Sequence, residues 1–196
     1  MRKSPRERIL LVAKDKFYRQ GYFHTGINEI IKESKTAKAT FYDHYPSKTI
    51  LGVKVVRAYA AETLYWFRSL LVGTESPSQF IDRLWIEVQK QTEETKEGYQ
   101  GCPVAIFSCQ FPVGENPFSD EFKSVIKRWE DLIIFHSERW IKKGHLHKNT
   151  NRRVFAQDVI NLYEGALINW RLSLDTSYIQ RMYEELKLKV KRESKR

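Results

Sequence analysis

Residues 37 to 45 read Ala-Lys-Ala-Thr-Phe-Tyr-Asp-His-Tyr. Placed on a helix at 3.6 residues per turn, Ala37, Phe41 and Tyr45 share one side, expected to pack on a neighbouring helix. Lys38, Ala39, Tyr42 and Asp43 share the opposite arc, with Thr40 and His44 flanking it. That arc combines an ammonium, a small residue that permits close approach, and hydroxyl and imidazole groups. These are the groups that contact nucleic-acid phosphates and base edges. Lys48, in the first turn of the following helix, is placed to reach a phosphate as well. Asp43 is either a solvated acid at the groove edge or an acceptor for a cytosine amino group, one of the few uses of an acid there.

Other chemistry finds little support. There is no nucleophile elbow, phosphate loop, paired catalytic carboxylates or metal-binding helix. Glu93-Glu94 and Glu184-Glu185 are neighbours on helices, so their side chains diverge by about 100° and cannot share a site. His136, His145 and His147 have no acid or cysteine at ligand spacing, so neither a metal nor a cofactor is expected. Cys102 and Cys109 stand seven positions apart rather than as C-x-x-C, which predicts two small buried residues on one helical face.

Charge points the same way as the arc. The net charge is +10 over 196 residues. Up to Ile50 there are eleven Lys and Arg against five Asp and Glu, an excess of six in a quarter of the chain. A basic segment of this kind favours an anionic partner. Most of the remaining surplus sits at the C-terminus, in Lys187, Lys189, Lys191, Arg192, Lys195 and Arg196. No apolar run approaches the roughly 18 residues needed to cross a bilayer. The basic N-terminus is not followed by the continuous apolar core of a signal peptide. A cytoplasmic protein without membrane association is expected.

The elements that must position the arc are helical almost throughout. Ser4, Pro5 and Glu7 form a helix start with a capping box. Ile9, Val12, Ala13 and Phe17 build an apolar stripe, and Gly21 ends the helix. A short second helix follows Thr25 as cap, with Ile27, Ile30 and Ile31 inward. Residues 33–36 break it, and a third helix covers 37–45. Further helices are predicted over 48–71, 79–97, 102–111, 119–143, 151–174 and from 178 onward. The fold class is all-α: an N-terminal three-helix helix-turn-helix module, residues 1–46, and a helical body, residues 47–196.

Two stretches carry a family resemblance. Thr25-Gly26-Ile27-Asn28-Glu29-Ile30-Ile31 and Thr40-Phe41-Tyr42-Asp43-His44-Tyr45-Pro46-Ser47-Lys48 resemble the tetracycline-repressor (TetR) family, whose pattern is T-x-x-x-I-A followed by A-G-V-S-x-G-T-L-Y-x-H-F-x-S-K. In the body, Ile160-Asn161-Leu162-Tyr163-Glu164-Gly165-Ala166-Leu167 resembles the family's penultimate helix, and Gly101-Cys102-Pro103-Val104 the start of its sixth. Where the family has a turn glycine this chain has Lys35. Its valine is Thr36, its serine cap is Ala37 and its second glycine is Ala39. Thr36 is expected to cap the third helix in place of Ala37. Lys35 is expected to hold a conformation that glycine adopts more cheaply, and adds charge near DNA.

The resemblance implies a repressor that binds a palindromic double-stranded DNA operator as a homodimer. The DNA-contacting set is then Thr25, Lys35, Thr36, Lys38, Ala39, Thr40, Tyr42, Asp43, His44 and Lys48. It also implies a pocket in the body whose occupancy by a small, apolar or aromatic effector moves the recognition helices off register. Trp66, Phe107, Trp129, His136 and Tyr163 are the candidate effector-binding residues, and Ile160, Tyr163, Leu167, Trp170 and Tyr183 the candidate dimer interface. Two alternatives stay open at this level. One is an activator of the same fold, since the sign of regulation depends on operator position. The other is a membrane-surface or scaffold protein using its basic tail. An enzyme is not expected.

Overall fold

A computed structural model describes residues 3–93 and 98–194. Among these the secondary structure is helical: α1 Pro5–Arg19, α2 Ile27–Ser34, α3 Lys38–His44, α4 Lys48–Leu71, α5 Pro77–Glu93, α6 Pro103–Ser108, α7 Ser119–Lys142, α8 Arg152–Ser173 and α9 Ser177–Ser194. The chain falls into two units. Unit 1 comprises Met1–Glu62 and Pro103–Ser124. Unit 2 comprises Thr63–Cys102 and Val125–Arg196. The expected domain edge after residue 46 thus lies within unit 1, which also takes in the first half of α4.

Unit 1 begins at the predicted capping box. The Glu7 amide donates to Ser4 Oγ at 3.3 Å, and the Ser4 amide donates to the Glu7 carboxylate at 2.7 Å. Two otherwise orphaned N–H groups are satisfied reciprocally. Ile9, Ala13 and Phe17, at four-residue spacing, are fully buried on the inner face of α1. Gly21, with φ +92°, turns the chain out of α1 in a region that side chains disfavour. Tyr22 then packs edge-on among Phe17, Phe107 and Phe118, with centroids 5.1–5.6 Å apart. Gly52 of α4 sits under this cluster. A Cβ there would lie 2.9 Å from the Phe118 ring and 3.1 Å from Tyr22.

Unit 2 is closed by α9, which packs on α5 and α8. Ile179, Met182, Leu186 and Val190 supply its buried stripe. In turn, α8 buries Val159, Ile160, Tyr163, Ala166, Leu167 and Trp170. Polar contacts fix the register. Tyr183 donates to Asp82 at 3.0 Å, Lys187 donates to the same oxygen at 2.9 Å, and Lys189 pairs with Asp158 at 2.5 Å. Asn151 caps α8 by accepting from the Val154 amide at 3.1 Å.

Several boundaries differ from expectation. The fifth helix begins at Pro77 rather than residue 79, and residues 94–97 of its expected end lie outside the described residues, as do Lys195 and Arg196 of the basic tail. The helix expected over 102–111 covers only Pro103–Ser108. That shortening separates the two cysteines. Cys102 precedes α6 and is buried, whereas Cys109 follows it and is exposed, so they share no helical face.

Candidate nucleic-acid interface

The helix-turn-helix of unit 1 is α2, a turn, and α3, both packed on α1. The turn is built around Lys35, a non-glycine residue in the left-handed region at φ 52°, ψ 49°. Its amide donates back to Lys32 O and the Thr36 amide to Ile31 O, closing the end of α2. Arg8, projecting from α1, completes the closure. Its Nε donates to Ser34 O at 2.9 Å and its Nη2 to Lys35 O at 3.2 Å. A guanidinium here satisfies helix-terminal carbonyls and lies at the negative end of the α2 dipole. Lys16 adds a second clamp, pairing with Glu29 at 2.6 Å and Glu33 at 2.5 Å. These partners hold the Lys16 ammonium above its usual pKa and the Glu29 carboxyl below its own.

With the turn fixed, α3 presents the expected arc. Phe41 and Tyr45 are buried, and the Tyr45 hydroxyl donates to Arg6 O at 3.1 Å. Lys38, Ala39, Tyr42, Asp43 and His44 are exposed together, with Thr40 half-buried beside them and Lys35 exposed at the turn. The Lys48 ammonium lies 4.5 Å from the centre of the Tyr22 ring, a cation–π contact. Partial burial holds its pKa below the usual lysine value.

Three expectations for this module are corrected. Thr25 does not cap α2. It is fully buried, its hydroxyl donates to Gly21 O at 2.8 Å, and Gly26 takes the cap position. Its side chain shapes the turn before α2 and does not face solvent. Thr36 does not cap α3. Its hydroxyl is 2.8 Å from Ser34 Oγ, and Ala37 occupies the cap position without a side-chain hydrogen bond. Ala37 is exposed rather than packed on α1, because the helix begins only after it. Both α2 and α3 therefore begin without a side-chain acceptor for their first-turn N–H groups, which are the donors that helix N-termini offer to phosphate.

The body residues separate into two groups. In unit 2, Trp66, Trp129 and Tyr163 gather around Phe67. The centroid of Phe67 is 5.0 Å from Trp66, 5.8 Å from Trp129 and 5.2 Å from Tyr163. His136 is buried nearer the end of α7, its ring 6.1 Å from Trp140. Burial, with Arg139 and Arg68 adding to it, holds its imidazole below the usual histidine pKa. Phe107 does not belong to this group. It is in unit 1, where α6 inserts it among Phe17, Tyr22, Phe111 and Phe118. A cleft of about 400 Å³ on unit 2 is lined by Trp66, Ser69, Leu70, Arg83, Ile86 and Glu87. No cluster of His, Cys, Asp or Glu suited to a metal ion occurs among the described residues.

Of the expected dimer residues, Ile160, Tyr163, Leu167 and Trp170 face the inside of their own unit, and Tyr183 is engaged with Asp82 and lies tilted at 4.8 Å from the Trp85 ring. The chain's own core claims the face of α8 that was expected to meet a partner. The outward face carries Asn161, Gly165, Ile168 and Leu172, and Leu172 is 79% exposed. Beside it, on the outer surface of α9, Glu185, Lys189 and Arg192 line a groove shared with Asn161 and Leu162. Glu164, Tyr99 and Arg8 were not singled out from sequence. A glutamate or arginine among many on helices has no local mark; only packing distinguishes it.

A short helix with an exposed polar and basic arc, held by a fixed turn on a three-helix support, defines a helix-turn-helix transcription regulator. Comparison with known proteins agrees. Residues 9–51 match the family described as bacterial regulatory proteins, tetR family, and residues 81–186 match the tetracyclin repressor-like C-terminal domain. The chain belongs to the TetR family, and is a DNA-binding transcriptional regulator. It is 29% identical over 165 residues to the HTH-type transcriptional regulator LmrA of Bacillus subtilis, covering 83% of this chain and 84% of that one. It is 24% identical over 184 residues to the HTH-type transcriptional repressor DhaR of a Mycobacterium species, covering 88% and 85%. Among solved structures, reduced NemR of Escherichia coli superposes with a TM-score of 0.77 at 18% identity, covering 94% of this chain and 96% of that one. A TetR-family regulator of Cytophaga hutchinsonii gives 0.79 at 13% identity, covering 94% and 92%. These two likenesses concern the fold. No described helix is long and apolar enough to cross a membrane.

Proposed function

We propose that this protein is a ligand-responsive repressor that binds a two-fold symmetric operator as a homodimer and is released by a small apolar or aromatic effector. The observation that carries the reading is the exposed arc of α3, Lys38, Ala39, Tyr42, Asp43 and His44, on a turn clamped by Arg8. Lys38, Lys35 and Lys48 supply charge for phosphates. Thr40, Tyr42, Asp43 and His44 supply groups for phosphates and base edges. The DNA-binding role rests on residues 1–46 together with Lys48, and residues 47–196 otherwise serve the effector and the dimer.

Two chains would pair through the outward face of α8 and α9, where Ile168 and Leu172 present apolar surface flanked by charged groups of both signs. Two recognition helices about 34 Å apart then meet successive major grooves on one side of the duplex. A ligand in the body of each chain shifts that spacing if it binds one arrangement better than the other. Footprinting on DNA upstream of the protein's own gene, with excess nonspecific competitor, tests the reading. A protected, two-fold symmetric site is expected. Protection no better than on random sequence would overturn it.

A further inference from the structure

Lys48 is a lysine in an unfavourable place. It opens α4, where the helix dipole opposes a cation, and the first turn holds no acidic residue. It is half-buried, and burial alone acts on its pKa, with no carboxylate contributing. The helix start does not need it, because the Ser47 hydroxyl already accepts from the Ile50 amide at 3.1 Å. An ammonium kept only for solubility would extend into water. Here it is drawn back over the Tyr22 ring, 4.5 Å from the centroid.

That ring is held firmly. Tyr22 is buried, and Phe17, Phe107, Phe111 and Phe118 surround it with centroids 5.1–5.6 Å away. Gly52, one turn along α4 from Lys48, leaves room for it: a Cβ there would stand 3.1 Å from the ring. The backbone is fixed as well. The Tyr22 amide donates to Gln110 Oε1 at 2.6 Å, and Gln110 Nε2 donates to Ile106 O of α6 at 3.2 Å. A long, flexible side chain is thus restrained against a rigid aromatic face. Binding a phosphate with a free lysine costs rotamer entropy, and restraint before DNA arrives removes part of that cost. The ring engages one side of the ammonium and leaves N–H donors for phosphate oxygens.

We propose that Tyr22 is a positioning residue for DNA binding: its ring, locked by Gln110 and the phenylalanine cluster, holds the Lys48 ammonium in place for a phosphate. This deepens the DNA-binding reading above and rests on Lys48 as a phosphate contact.

The experiment measures binding of the full-length protein to random-sequence duplex DNA at low salt by fluorescence anisotropy, since a phosphate contact is independent of sequence. Two replacements keep the shape of the ring. Tyr22→Phe keeps its negative face, and replacement of Tyr22 by pentafluorophenylalanine reverses it. Each is made with Lys48 intact and with Lys48→Met, and thermal midpoints check that every variant folds. Lys48→Met is expected to weaken binding. With Lys48 intact, the fluorinated ring is expected to weaken binding about tenfold, roughly threefold from each subunit of the dimer, while Tyr22→Phe binds as the unaltered protein does. In the Lys48→Met background the three rings should bind alike. In the unaltered protein, NMR should show the Lys48 ε-methylene protons shifted upfield by the ring, a shift the fluorinated variant loses. No effect of the fluorinated ring would overturn the proposal. Equal weakening with and without Lys48 would overturn it too, because the ring would then act through packing alone. Both results leave Lys48 standing as a DNA contact. Unchanged binding by Lys48→Met would instead overturn the phosphate contact itself, and the proposal with it.

Discussion

Arg8 and Lys35 form one device: the guanidinium of Arg8 donates at 3.2 Å to the carbonyl of a lysine held at φ 52°. The left-handed conformation costs a non-glycine residue about 1 kcal/mol or more. Lys35→Gly removes that strain but adds chain entropy to the unfolded state. A net stabilisation of about 0.5 kcal/mol is expected from denaturant midpoints, together with weaker, less salt-dependent operator binding from the lost charge. Arg8→Ala strips the carbonyls of Ser34, Lys35 and Lys3 of a donor and should destabilise by about 1–2 kcal/mol. No change in stability with Arg8→Ala would show that the clamp is idle.

Gly52 is a packing position. Alanine there gains about 1 kcal/mol of helix propensity within α4. Its Cβ would stand 2.9 Å from the Phe118 ring, which Tyr22, Phe107 and Phe111 hold in place. Overpacking of this kind costs about 1–3 kcal/mol, so the clash outweighs the propensity. Gly52→Ala should lower the thermal midpoint, and an unchanged or raised midpoint would mean the rings yield freely.

On α3, Lys38 and Asp43 should separate by what they read. Lys38→Ala is expected to weaken binding to all sequences alike and lower the salt slope by about one. Asp43→Ala should relax preference at one base pair if the carboxylate accepts from cytosine. Uniformly tighter binding by the Asp43 variant would instead show simple repulsion removed. Both effects are readable by competition binding across a randomised operator.

The two faces of α8 predict opposite phenotypes. Ile168→Glu and Leu172→Glu lie on the outward face and should yield folded monomers by sedimentation, with operator affinity lost. Leu167→Ala lies inside unit 2 and should cost about 2–5 kcal/mol of stability. A dimer that survives both outward substitutions would place the interface elsewhere.

Glu164 makes stability depend on pH in a defined direction. Its folded pKa of about 7 lies above its unfolded value, so the folded state binds more protons in between. Stability conferred by the protonated group is present in full below the unfolded pKa and is lost as pH rises through 7. Glu164→Gln should therefore gain on the order of 3 kcal/mol relative to the unaltered protein at pH 8, and little at pH 4.5. Parallel denaturation curves at the two pH values check it, and an identical difference at both would refute the shift.

Much of this protein was legible in local patterns. The capping box at Ser4 and Glu7, the stripe of Ile9, Ala13 and Phe17 and the 24-residue α4 follow from spacing and punctuation, which act over a few residues. The same periodicity separated Phe41 and Tyr45 from the exposed arc of Lys38, Tyr42 and Asp43. The Lys35 turn was marked by a residue standing where glycine is preferred.

Other features were decided only by packing. Whether Thr25 points to solvent or bonds to Gly21, and whether Thr36 caps α3 or meets Ser34, depends on where α1 holds the turn. Which apolar face of α8 is inside depends on α9, since both faces carry apolar residues. Phe107 and Trp66 look alike in sequence yet belong to different units. The burial of the Glu164 carboxylate is visible only once every neighbour has been placed. Local sequence sets which helices form and which residues share a face. It does not say which face a neighbouring helix will cover, because that choice is made by shape and burial between segments far apart in the chain.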